Sequence, residues 1–145
     1  MSLTNTVLSR PSTGVSYTRK YTVGLQDLIA GGAFTTVDIK LDDLPSGAIV
    51  IASRVKHSAS VAGTSFSAST ARLKFNGTSM GAGALDVFAA PGTTVGTHEV
   101  TNVTPVVGLV SGVTPVYMTV TSTGGNLSAT TAGSIDAYVE FIVLS

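Results

Sequence analysis

SIDAYVEFIVL, residues 134–144, decides how the rest of the chain is read. Laid out as an extended strand, Ile135, Ala137, Val139, Phe141 and Val143 share one face, and Asp136, Tyr138 and Glu140 point the other way. Ile142 and Leu144 make the second face apolar as well toward its end. The strand is therefore expected inside a sheet or against a partner rather than at a solvent-facing edge. The stretch most like it is Gly47 to His57, where Ile49, Ile51, Ser53 and Val55 oppose Val50, Ala52, Arg54 and Lys56. It begins apolar on both faces and ends charged on one.

Working outward, the same period of two recurs along the chain. Tyr17, Arg19, Tyr21 and Val23 alternate with Thr18, Lys20 and Thr22. Thr35, Val37, Ile39 and Leu41 form a core face against Thr36, Asp38, Lys40 and Asp42. Ala71, Leu73 and Phe75 alternate with Arg72, Lys74 and Asn76, and Val116, Met118 and Val120 with Tyr117, Thr119 and Thr121. Chain reversals are signalled by Asp42 to Gly47 (DDLPSG), by Asn76-Gly77 and by Gly124-Gly125-Asn126. Leu25 to Gly32 (LQDLIAGG) has the spacing of one helical turn ending in glycine. Ser58 to Thr70 is small and polar and reads as a loop, and Gly81 to Gly92 as a short strand or packed loop. Val95 to Val110, broken by Pro105, reads as an edge strand or bulge. Residues 1–15 lack any sustained period and read as an N-terminal arm that frays or docks on a neighbour, leaving 16–145 as a single β-sandwich domain. About eight short strands without a long helix predict an all-β fold, an antiparallel two-sheet sandwich of jelly-roll type with an extended N-terminal arm. A single closed barrel is the alternative.

At 145 residues the chain can bury roughly 70% of its unfolded surface. Charged residues make up 11%, with eight basic residues balancing eight acidic ones, so there is no electrostatic footprint for nucleic acid or an anionic membrane. Seventeen Ser and twenty-one Thr favour strands and turns over helices. So few charges suit a surface taken up by neighbours better than one that must stay dispersed alone. The absence of cysteine removes disulfides, thiolate zinc sites and a cysteine nucleophile. Residues 1–10 lack the order of a secretory signal and no 18-residue apolar run occurs, so the product is expected to be made soluble in a cytoplasm.

No constellation nominates catalysis, and no catalytic, cofactor-binding or metal-ligating residue is assigned. His57 and His98 have no second ligand at zinc spacing, and His98 and Glu99, adjacent in a strand, point to opposite faces. Both histidines read as surface or interface residues. Asp42-Asp43 could offer oxygens to calcium, but no further acidic ligand follows at loop spacing, and a strand-capping turn is the better reading. GAGALD, Gly81 to Asp86, lacks the Lys-Ser/Thr ending and the helix of a phosphate loop. Arg54, Lys56, Arg72 and Lys74 form a possible docking patch for an acidic partner, or a solvated sheet face. An enzyme such as a polysaccharide hydrolase would need paired carboxylates in a cleft, and eight scattered acids do not supply them.

Two segments carry a family resemblance. The first is LPSGAIVI, Leu44 to Ile51, with Arg54-Val55-Lys56 after it and the amphipathic strand and LQDLIAGG turn before it. The second is GGNLS, Gly124 to Ser128, through TAGSIDAYVEF, Thr131 to Phe141. Together they resemble the jelly-roll decoration, or cement, proteins of tailed bacteriophages and related small phage structural proteins. The likeness spans most of residues 20–145 and contains turn and strand patterns but no catalytic signature. It implies a non-enzymatic virion protein on the outer capsid surface that binds between major capsid subunits, clamps them, and associates as a dimer or trimer. A receptor- or glycan-binding knob of a tail or head fibre is the competing expectation.

Overall fold

The computed structural model describes residues 4–7, 16–75, 78–79, 84–90 and 114–143. Nine strands occur among them: β1 (Thr4–Val7), β2 (Ser16–Val23), β3 (Thr36–Leu44), β4 (Ala48–Gly63), β5 (Ala68–Phe75), β6 (Thr78–Ser79), β7 (Leu85–Asp86), β8 (Thr114–Thr123) and β9 (Thr130–Val143). A single-turn helix, α1 (Leu25–Ile29), and a 3-10 turn, Leu127–Ala129, complete the list of regular elements. All strand pairs are antiparallel.

The strands make two sheets, ordered β1-β2-β9-β4 and β3-β8-β5-β6, with β7 also on β5. β2 pairs with β9 and β3 with β8, so early strands meet late ones in nested pairs while the chain crosses between sheets. That is the winding of a jelly roll. β9 lies between β2 and β4, the interior position that its two-faced apolar end demands. Ile135, Ala137, Val139 and Phe141 are buried against Tyr21, Val23, Val50 and Val55 of the same sheet and against Ile39, Leu73, Met118 and Val120 of the other.

Several sequence expectations need correction, and each has a local cause. Thr35 is exposed and precedes β3, so the buried face of that strand starts lower down. A bulge between Lys40 and Asp42 inserts one residue, so Leu41 and Leu44, three apart, are both buried and the strand runs on through Asp42 and Asp43. Only Pro45 to Gly47 turns. A second bulge, between Val50 and Ala52, flips the face of β4: Ala48 and Val50 face inward before it, Ser53, Val55 and His57 after it. Ile51, the extra residue, is 38% exposed. Ser58–Thr70 is not a loop, because β4 continues to Gly63, β5 begins at Ala68, and only Thr64 to Ser67 connects them. The Asn76-Gly77 pair lies outside the described residues; on either side of it β5 and β6 pair, Phe75 opposite Thr78. The 95–110 segment lies outside them too. Within 1–15, Thr4–Val7 runs antiparallel to β2, Thr4 opposite Thr22 and Val7 opposite Arg19.

α1 exists for a local reason. Asp27 accepts a hydrogen bond from the Gly24 amide at 3.0 Å, and the amides of Asp27 and Leu28 bond back to the Gly24 carbonyl. Leu28 is then buried in the core.

Candidate functional site

The bulge in β3 builds a polar cluster that joins the two sheets. In a regular strand Asp42 would continue the outer face of Asp38 and Lys40; the inserted residue turns it toward the other sheet instead. There its Oδ2 accepts from the Arg19 guanidinium at 2.6 Å and from the Tyr21 hydroxyl at 2.6 Å. Burial lowers the guanidinium's proton affinity, and the hydrogen bond and charge of Asp42 more than offset it, so the Arg19 pKa lies above its ordinary value. Burial, reinforced by the same carboxylate, pushes the Tyr21 phenol far above its ordinary value. Arg19 stays charged and Tyr21 neutral, which suits a clamp between sheets and offers no proton for general acid-base work. The Arg19 guanidinium also lies 5.2 Å from the centre of the Phe141 ring, which stacks on Tyr17 at 5.4 Å. Tyr17, Arg19, Pro45, Phe141 and Val143 line an open recess of about 340 Å³ at this rim.

This clamp was not singled out from the sequence, yet a signal for it exists. Arg19 sits between Tyr17 and Tyr21 on the inward face of its strand, and a cation there requires an anion from across the core.

The outer face of the first sheet carries a second cluster. Tyr138 of β9 lies between Lys20 of β2 and Arg54 of β4 in the sheet register. Ammonium groups of Lys20 and Lys56 lie 5.8 and 5.3 Å from its ring centre. A shallow recess of about 200 Å³ beside it is lined by Thr18, Ala52, Ser53, Arg54, Tyr138 and Glu140. Arg72 and Lys74 belong to β5, in the other sheet, where Lys74 pairs with Asp38 at 2.9 Å and Thr119 donates to Asp38 at 2.6 Å. The structure thus divides the four-residue basic patch between two outer faces.

The remaining candidates disperse. Asp43, turned outward, pairs with Lys40 at 3.0 Å while Asp42 faces Arg19, so the two carboxylates diverge and neither makes the strand-capping turn. His57 is not a surface residue: it is buried, with Nε2 2.8 Å from the Ala89 carbonyl oxygen, to which the Ser60 hydroxyl also donates at 3.0 Å. Asp86, the last residue of GAGALD, accepts from the amides of Phe88 and Ala89 and holds a turn. His98 and Glu99 lie outside the described residues. Among those described, no group of three or more His, Asp or Glu side chains is placed to hold a metal ion, and no helix is long and apolar enough to cross a membrane.

Fold and clusters together define a class: an antiparallel jelly-roll sandwich whose polar groups are spent on joining sheets and covering faces. The sequence matches no protein family and no curated protein. Among solved structures, the fold is similar to a chain of the cyanophage Pam1 capsid asymmetric unit, with a TM-score of 0.60 and 17% identity over 94% of this chain and 93% of that one.

Proposed function

We propose that this chain is a structural protein of a phage virion that attaches to the outside of the capsid between major capsid subunits and stabilises the shell. The observation that carries the reading is the end-to-end likeness in fold to a capsid chain: coverage of 94% and 93% makes the two chains nearly equal in length, so the likeness is to a whole small chain and not to one domain of a large shell subunit. The balance of eight basic and eight acidic residues fits lattice contacts that are individually weak and strong through repetition. In this reading the protein is not an enzyme, its partners are the major capsid protein and further copies of itself, as a dimer or trimer, and it is made in the host cytoplasm. The arm, residues 1–15, contributes to attachment.

Heat resistance tests it. Shells carrying the protein should release their DNA at a higher temperature than shells without it, and equal release temperatures would refute the stabilising role. A glycan array run in parallel separates the fibre-knob alternative, which requires binding where a cement protein shows none.

A further inference from the structure

β3 is the outermost strand of the second sheet, bonded to β8 on one side and to no described strand on the other. The Ser122 amide donates to the Thr35 carbonyl at 2.7 Å, which sets the phase of the ladder. In an antiparallel pair a residue's N–H and C=O point the same way and the direction alternates along the strand. Thr35, Val37 and Ile39 therefore turn their peptide groups to β8, and Thr36, Asp38 and Lys40 turn theirs to the other edge, on which no described strand pairs, until the bulge resets the phase. Helix α1 does not close that edge: between Gln26, Asp27 and Ala30 and the run Val37 to Lys40 there is an open groove of about 380 Å³.

We propose that β3 pairs with β3 of a second copy, antiparallel about a two-fold axis through Ile39, joining two sheets into one. Charge selects this centre. An axis at Asp38 would set Asp38 against Asp38, and one at Lys40 would set Lys40 against Lys40. An axis at Ile39 sets Asp38 of each copy against Lys40 of the other, twice, with the backbone groups of all four residues edge-facing and each side chain sharing the contact it already makes, Asp38 with Lys74 and Thr119 and Lys40 with Asp43. Ile39 then meets Ile39 at a non-hydrogen-bonded position, where side chains come closest. A lone lysine on an edge strand is a common guard against such pairing; aspartate two residues before it converts repulsion into attraction in this one register. The bulge ends the contact after about four backbone bonds, so the dimer is weak when dilute and gains where copies are crowded on a surface. The pairing supplies a surface for the self-association included in the proposed function, and its test, done without any shell, stands or falls independently of attachment.

Asp38→Lys and Lys40→Asp variants of the full chain are compared by sedimentation over rising concentration. Wild type should dimerise and each variant alone should do so at least about tenfold more weakly. Their equimolar mixture should regain the dimer, because the all-lysine edge of one meets the all-aspartate edge of the other. Since the chain has no cysteine, Ile39→Cys gives a second readout: on the axis, it should oxidise to a disulfide-linked dimer. If Asp38→Lys fails to fold, for want of its Thr119 and Lys74 partners, Lys40→Asp and Ile39→Cys decide alone. A wild-type chain that stays monomeric with an Ile39→Cys variant that stays unlinked, or a dimer that Lys40→Asp leaves unchanged, overturns the proposal.

Discussion

Asp42 shows how much one side chain can hold. It receives two short bonds from a strand of the opposite sheet, one of them from a charged donor. Asp42→Ala should therefore cost about 2–3 kcal/mol, with the denaturant midpoint falling and the slope unchanged. Removing one donor is milder and leaves a signature in pH. The folded pKa of Tyr21 is raised above the ordinary 10.0, so its contribution to stability is fully present below pH 10.0 and is lost as pH climbs from there toward the raised folded value. Tyr21→Phe should lose about 1–2 kcal/mol at pH 7 and should show a shallower fall in stability above pH 10 than wild type. Asp38 works in the opposite sense: the Thr119 hydrogen bond, opposed by partial burial and aided by Lys74, holds its carboxyl below the ordinary 3.8. Its contribution is present above pH 3.8 and disappears as pH drops through the lower folded value. Asp38→Asn should thus flatten the acid limb of the stability profile below about pH 4, measured by urea unfolding.

At the level of strands, the alternation that was legible is the alternation that was uninterrupted. β2, β5 and β8, and β9 from Ile135 onward, each keep one phase, and their buried apolar residues, such as Ala71, Leu73 and Phe75, are the ones that period-two reading selects. β3 and β4 change phase at bulges, and a bulge leaves no mark in a run such as AIVIAS, where every residue can face inward. Ser58 to Gly63 escaped notice for a different reason: serine, alanine and glycine give too little contrast between faces to show a period, and only Val61 of that stretch is buried. The clamp was hidden with the bulge that creates it, since without the inserted residue Asp42 reads as part of a turn. The connection after β8 was legible in kind but not in its constraint. Gly124 has φ +93°, and a Cβ there would collide with the Ser65 carbonyl oxygen. Gly124→Ala should cost about 2–3 kcal/mol from strain and displacement together. Thermal unfolding checks it, and a loss under about half a kcal/mol would show that the neighbouring turn yields freely.

For the molecule as a whole, the sheet order matters more than any single contact. β9 follows every other described strand in the chain and yet occupies the middle of its sheet, between β2 and β4. A ribosome delivering this polypeptide from the N-terminus presents β2 and β4 long before the strand that must slot between them, so both wait with unpaired backbone and bare valine and tyrosine. Closure of the fold consequently awaits β9 and is dominated by pairings distant in sequence and slow in proportion. Nascent chains stalled before Thr130 should be digested by protease, and chains released past Val143 should resist it. That interval of exposure, more than the strength of the finished sandwich, would set the yield of usable protein.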